Sequence, residues 1–327
     1  MYHSRWKGSH KEAAYKYGNL LYNHGKTPEI EDLIHEEKLE YAKEVYEIYN
    51  KNYPEIIEEI SGFAEGLRLG FFKVFAFLAT MYVFTYENYC SCIGISNTSG
   101  IYLARNSDFD KGIGKLTDSA YYKLDQGFSF IGNTTAMIQM EDGINEKGLA
   151  CGLTFVYPTV RGIGFNAGFL VRYILEKCSK VEEARRFLEE IEIGSSQNVI
   201  VADAHGRVLL AELNAEEKYF QEISAGALYR TNHFVSDRMS LYKCNLKDDI
   251  RSHERFQTLE SQEYSNYKLE NIKELLRGEK GFLCQYNRQE SFDTIWSSIY
   301  DIRENKIYRC EGNPSRRKFV EDKRRKR

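Results

Sequence analysis

A cysteine at position 90, followed by Ser91 and Cys92, opens the case for covalent chemistry. Cysteine is the strongest side-chain nucleophile at neutral pH once a neighbour lowers its pKa or accepts its proton. Three readings compete for the triplet. As a metal or redox pair it lacks a second Cys or His pair at ligand spacing. As core thiols, Cys90 and Cys92 would share one face of a strand, because residues two apart point the same way. As a nucleophile, Cys90 would open the first strand of a β region. Fifteen residues further on comes Arg105-Asn106-Ser107-Asp108-Phe109. A hairpin between the two segments returns Arg105 and Asp108 to the neighbourhood of Cys90. There a guanidinium favours the thiolate, and a carboxylate can orient an amine or hold the arginine. A plain Arg105–Asp108 ion pair at a strand end is the alternative.

The elements that must position these groups change character at residue 90. Before it the pattern is helical. His35 to Asn52 is rich in Glu, Lys, Ala, Leu and Tyr and holds no Gly or Pro. Pro54 suits a first helical turn, and Ile56, Ile57, Ile60 and Phe63 follow at helical spacing. Phe71 to Tyr86 is apolar but short for a membrane span and contains Lys73, so it predicts a buried helix. After residue 90 the period is that of strands. CIGISNTSGIYLAR, NVIVADAHGRVLLAEL and IWSSIYDIRENKIYRC predict three hairpins, turning at Asn97–Gly100, at Asp203–Gly206 and near Arg303–Asn305. FSFIGNTTAMIQM and LACGLTFV add short β runs. A helical pair interrupts them, with Phe169, Tyr173 and Ile174 in the first helix. Ser179 and Glu182 suggest a capping box for the second, behind which Val181, Ala184, Leu188 and Ile191 form an apolar stripe. The expected class is α+β: antiparallel sheets covered by helices, one domain with a helical leader.

Bulk properties exclude several functions. The 327 residues are 42% hydrophobic, enough for a sizeable core. A net charge of −3 and a pI near 6.2 make no overall case for nucleic acid. The basic run from Arg316 to Arg327 is expected to be a solvated, frayed tail. The opening MYHSRWKGSHKEAA has no apolar core of a secretory signal, and seven scattered cysteines suit reduced thiols. A cytoplasmic protein that neither enters nor sits on a membrane is expected.

The stretch CSCIGISNTSGIYLARNSDFD resembles the start of the mature catalytic chain in the linear-amide C–N hydrolases of the N-terminal-nucleophile (Ntn) superfamily. These include choloylglycine hydrolases, penicillin V acylases and acyl-CoA:6-aminopenicillanic acid acyltransferases. The leader YPEIIEEISGFAEG is similar to the long helical prosegment of the acyltransferase branch. GINEKGLACGLTF (143–155), LVRYILEKCSKVEEARRFLEEI (170–191), SSQNVIVAD (195–203) and Thr231-Asn232-His233 match as well. Together they span roughly residues 50 to 315.

The resemblance implies an αββα four-layer sandwich. It implies that residues 1–89 form a helical prosegment and residues 90–327 the catalytic domain. Cys90 would cut the chain after Tyr89 and then serve as the mature nucleophile. Its new α-amine, with a reference pKa of about 7.7–8.0, would act as the base. Arg105 matches the family arginine beside the nucleophile, and Asp108 the aspartate that holds the α-amine. Asn232 matches the asparagine of the oxyanion hole. Thr154 stands where bile salt hydrolases often place another oxyanion Asn, so a backbone N–H is the expected donor there. Ser196 matches an acyltransferase serine and Arg255 a late family arginine. Ser196 reads equally well as a helix-to-strand connector and Arg255 as a solvent-facing charge; His233 reads as readily structural as catalytic. The family often has Gly before the nucleophile, where this chain has Tyr89. The implied reaction is hydrolysis of a small linear amide, or transfer of its acyl group, with no metal or bound cofactor. Acyl-CoA is admitted as an acyl donor. The cleaved leader would stay as the α chain of a heterodimer, and a homo-oligomer is compatible with this. The alternative is an uncleaved, non-catalytic member that binds an acyl ligand.

Overall fold

The computed structural model describes residues 1–30, 33–84, 89–244 and 251–324. The leader opens with strand β1 (Arg5–Gly8), followed by helices α1 (His10–Asn23), α2 (Glu36–Asn52), α3 (Pro54–Leu67) and α4 (Phe71–Thr80). Strands β2 (Tyr89–Asn97), β3 (Gly100–Asp110), β4 (Asp118–Leu124), β5 (Phe130–Thr134), β6 (Asp142–Asn145) and β7 (Ala150–Phe155) come next. The helical pair is α5 (Ala167–Lys177) and α6 (Val181–Glu190). Then follow β8 (Gln197–Ala202), β9 (Val208–Leu213), β10 (Lys218–Ile223), β11 (Gly226–Arg230), α7 (Ser252–Glu260) and α8 (Leu269–Leu276). The chain closes with β12 (Phe292–Asp301), β13 (Lys306–Glu311) and β14 (Val320–Glu321).

Two sheets form. One runs β1-β4-β5-β6-β7-β8-β9-β10, the other β11-β2-β3-β12-β13-β14. Period-two alternation sorts their side chains into layers. On β8, Val199 and Val201 join the large core under the helices, while Ile200 and Ala202 face the other sheet. On β2, Cys92 faces between the sheets, while Ile93 and Ile95 pack on the other side with Leu259 of α7 and Leu275 of α8. The result is four layers, with helices outside both sheets. The three expected hairpins form as β2–β3, β8–β9 and β12–β13, and Pro54 sits in the first turn of α3.

Four local expectations are corrected. The leader is not wholly helical: β1 extends the larger sheet by pairing in parallel with β4. The cap of α6 lies one residue later than expected. Lys180 is the N-cap residue, and Ser179 donates through both N and Oγ to Glu183. The second half of FSFIGNTTAMIQM turns instead of continuing β5. The basic run is not frayed over its described part. Residues 320–321 form β14, and Arg324 donates to the Ser119 carbonyl and hydroxyl. Residues 325–327 lie outside the described chain, as do Thr85 and Tyr86 of the apolar stretch.

The leader packs as part of the core. Gly18 of α1 meets Gly66 of α3, and Gly62 of α3 meets the Lys11 backbone, so closely that a Cβ on any of the three glycines would run into facing backbone. Among the described residues no helix is long and apolar enough to cross a membrane.

Candidate functional site

Antiparallel pairing brings the first cluster together. Cys90 lies opposite Ser107, Cys92 opposite Arg105, and Tyr89 opposite Asp108. Cross-strand partners point to the same face, so Arg105 reaches Cys90 from between the sheets, and Asp108 stands on the outer face with α7. Cys90 is fully buried. Arg105 Nη2 donates to Cys90 Sγ at 2.6 Å. The backbone N–H of Cys90 donates to Asn232 Oδ1 at 2.9 Å, and its carbonyl accepts from Arg255 Nη1 at 2.7 Å.

Arg105 is itself held on every side. Its Nε donates to the Leu153 carbonyl at 2.8 Å, and Nη1 donates to Ser107 Oγ and to Asp142 Oδ2, both at 3.0 Å. Nη2 also reaches Glu141 at 3.2 Å. Sequence reasoning misses Glu141 and Asp142. Their signal is two adjacent carboxylates closing the largely apolar run MIQMED, where burial demands a cation. Asp142 further accepts from Trp296 Nε1, Ser298 Oγ and Tyr300 OH of β12 and from Asn133 of β5.

On the outer face, Asp108 accepts from Thr294 Oγ1 at 2.6 Å and Tyr286 OH at 2.9 Å. Arg255 Nη1 stands 3.7 Å from it, so the plain Arg105–Asp108 ion pair is not what forms; each has other partners. Arg255 is fully buried and does not face solvent. It also donates to Asn232 Oδ1 at 2.8 Å and to Ser91 Oγ at 3.1 Å. Asn232 turns its oxygen toward Cys90 N, while its amide nitrogen donates to the Phe155 carbonyl at 2.8 Å. Ser252, at the start of α7, accepts the Asn232 backbone N–H at 2.8 Å and contacts His233 Nδ1 at the same distance.

Two residues sit less directly. Thr154 donates to the Thr231 carbonyl at 2.6 Å and accepts from Asn198 at 2.9 Å, so it anchors the loop that carries Asn232. Ser196 precedes β8, and its carbonyl accepts the Val156 amide, the bond of a connector. Among the described residues no group of three or more His, Cys, Asp or Glu could hold a metal ion.

Electrostatically the site is a buried cation pair among buried anions. Burial pushes the Cys90 thiol up, Arg105 and Arg255 oppose this, and Glu141 and Asp108 add to it. Burial also raises Asp108 against the pull of Arg255 and its two hydroxyl donors. Burial thus favours the neutral thiol, while Arg105 stands in place to favour a thiolate.

A point mutant of the conjugated bile acid hydrolase from Clostridium perfringens is similar in structure, with a TM-score of 0.50 at 14% identity. The match covers 73% of this chain and 93% of that one. An N-acylethanolamine-hydrolyzing acid amidase ortholog of Caenorhabditis elegans matches with a TM-score of 0.49 at 17% identity, over 65% of this chain and 93% of that one. Penicillin V acylase from Agrobacterium tumefaciens matches with a TM-score of 0.48 at 16% identity, over 68% and 82%. No curated protein sequence matches the chain. The fold is that of the Ntn hydrolases. Residues 95–316 match the sequence pattern of the acyl-coenzyme A:6-aminopenicillanic acid acyl-transferase family, and the chain belongs to that family. Arg105, Asp108, Thr154, Ser196, Asn232 and Arg255 fall inside the matched span; Cys90 lies just ahead of it.

Proposed function

We propose that the chain is a cysteine Ntn enzyme that cuts itself between Tyr89 and Cys90 and then transfers the acyl group of a small linear amide, chiefly to water. The observation that carries this reading is Arg105 Nη2 at 2.6 Å from Cys90 Sγ, with the adjoining peptide nitrogen held by Asn232. In the first step Sγ attacks the Tyr89 carbonyl carbon. An S–C bond forms, the C–N bond breaks, and the thiol proton ends on the Cys90 nitrogen as a free α-amine. Water then hydrolyses the thioester, leaving a Tyr89 carboxylate and a restored thiol.

In turnover the α-amine takes the thiol proton while Sγ attacks the substrate carbonyl. The resulting ammonium returns that proton to the leaving amine, and water or an acceptor amine resolves the acyl-thioester. Arg105 stabilises the thiolate. Asp108 holds the ammonium, and Arg255 fixes the Cys90 carbonyl. Asn232 holds the nitrogen in the uncut chain and contributes to the oxyanion site during acyl transfer. Thr154 positions the Asn232 loop. An amine acceptor gives acyl transfer on the same thioester, and acyl-CoA is a chemically equivalent donor. The leader stays as a non-covalent α chain.

Intact-mass measurement of wild type beside Cys90→Ala tests the reading. Two fragments are expected in wild type, the larger beginning at Cys90, and a single full-length chain in the variant. Full-length wild type that also takes no acyl group from an activated ester at Cys90 would leave an uncleaved, non-catalytic protein instead.

A further inference from the structure

The basic strap at the end of the chain does not enter the reaction above, yet buried hydrogen bonds run from it toward the thiol. Asp322 anchors the strap, its amide donating to the Ile307 carbonyl at 2.8 Å. Its carboxylate accepts from Arg309 Nη1 at 2.7 Å and from Arg324 Nη2 at 2.6 Å. Arg324 then crosses to the other sheet, donating to Ser119 Oγ at 2.6 Å. Ser119 is the cross-strand partner of Asn133. Arg309 meets the same Asn133 from the second sheet, Nε to Oδ1, at 3.0 Å. Asn133 Nδ2 donates to Asp142 Oδ1 at 2.5 Å, and Asp142 Oδ2 receives Arg105 Nη1 at 3.0 Å. Arg105 ends at Cys90 Sγ. Asn133, Asp142 and Arg105 are fully buried and Arg309 nearly so.

We propose that Arg309, clamped by Asp322 and Arg324, is a positioning residue for the thiol: through Asn133 and Asp142 it holds the Arg105 guanidinium against Cys90. This rests on the reading of Cys90 and Arg105 above. The physical case is geometric. A guanidinium stabilises a thiolate only at short range, and Asp142 is the carboxylate that takes Nη1, the nitrogen beside the one on sulfur. Asp142 Oδ1 is fixed by Asn133, whose oxygen is spent on Arg309. Among the described residues Arg309 Nη2 is buried without a hydrogen-bond partner, and the hydrogen bonds that hold this side chain go to Asn133 and Asp322. A strap that served only to cover an edge strand would not need to clamp, through Asp322, an arginine of β13 that reaches between the sheets.

The test is the pH dependence of iodoacetamide labelling of Cys90, read by peptide mass spectrometry on the full protein. Arg105→Met comes first and must move the labelling inflection upward. Arg309→Met is then expected to move it by about one pH unit, an approximately tenfold slower labelling at neutral pH. The Arg105→Met/Arg309→Met double variant is expected to add nothing beyond Arg105→Met alone. Arg316→Gln breaks a strap ion pair with Asp293 outside the chain of bonds and should leave the profile unchanged. Asp322→Asn and Arg324→Gln, milder changes, are expected to give smaller shifts of the same sign if Arg309→Met folds poorly. A profile that moves in Arg105→Met but not in the strap variants, or additive effects in the double variant, overturns the strap's role and leaves the Cys90–Arg105 reading standing. A profile unmoved by Arg105→Met sinks both.

Discussion

Two fully buried arginines, Arg105 and Arg172, each sit between two carboxylates, and they do different work. Arg172 of α5 donates twice to Glu59 of α3, at 3.0 and 2.7 Å. It also reaches Glu176 at 3.2 Å and the Ile138 carbonyl at 2.8 Å, with its guanidinium over the Tyr122 ring at 4.1 Å. His10 of α1 lies 2.7 Å from Glu176, and Tyr53 donates to the same carboxylate at 2.7 Å. The donors of Arg172 thus go to carboxylates and a carbonyl, and the cluster bolts the leader to α5 beside the larger sheet. Arg105 has the same two-carboxylate setting but directs one nitrogen at a thiol. A buried arginine is structural where fixed anions take its donors, and chemical where one donor faces a group whose charge changes.

The largest expected effect separates these roles. Arg172→Met should cost about 3–5 kcal/mol, because Glu59 loses both of its arginine bonds and two buried carboxylates are left to share His10. Thermal melting should show the loss, while the pH profile of Cys90 labelling in the folded fraction stays as in wild type. Arg105→Met strands Glu141 and Asp142 at a similar cost, but it should also raise the thiol pKa by about 1–3 units. If Arg172→Met, or the gentler Arg172→Lys, moves the labelling profile as far as Arg105→Met does, the distinction collapses.

Next in size is Asn232→Ala. If Asn232 serves the proposed oxyanion site, its loss lowers acyl transfer by about 10²–10³. Single-turnover acylation of Cys90 should slow by that factor with little change in melting temperature. An unchanged acylation rate would reduce Asn232 to a holder of the Cys90 nitrogen.

The smallest effect is a pH dependence of the leader cluster. Burial lowers the His10 pKa, but the bond to Glu176 and the nearby Glu59 charge outweigh it, so the net shift is upward from 6.5. A raised folded pKa means its stabilisation is full below about 6.5 and fades as pH climbs through the raised value. Glu176 behaves oppositely. Burial raises it, yet Arg172 and His10 bring it down to about 2 from 4.5, so its contribution is lost as pH falls across that interval. Glu59 is raised by burial against Arg172 and His10, so it takes up its proton before Glu176 does. The melting-temperature gap between wild type and His10→Gln should therefore be widest in mildly acidic buffer and close toward alkaline pH. A gap that does not vary with pH would mean His10 acts by packing alone.

Much of the site could be read from the chain because its first cluster is local. The spacing from Cys90 to Arg105 and Asp108 spans a single hairpin, and a hairpin's register follows from its turn. The hairpins, the proline-started α3 and the α5–α6 pair were visible for the same reason. Strand β1 was not, since four residues at a sheet edge carry too little pattern. Nor was the α1–α3 contact, which depends on glycines facing each other across two helices. Arg255 illustrates the limit most clearly. On a short polar helix its sequence reads as a solvent charge, and only the arrival of α7 on the outer face of β2 turns it toward the Cys90 carbonyl.

What the sequence determined by itself is the chemistry available and the local geometry: a cysteine opening a strand, an arginine and an aspartate one hairpin away, a helical leader, and alternation that buries both faces of the strands. What only the tertiary structure decided is which of forty-eight acidic residues meet which arginine. Glu141 and Asp142 close around Arg105, Glu59 and Glu176 around Arg172, and Asp322 around Arg309. The physical reason is that a buried charge must be neutralised by a partner brought in by packing, and apart from the i,i+4 pair Arg172–Glu176 no local pattern records that partner's identity.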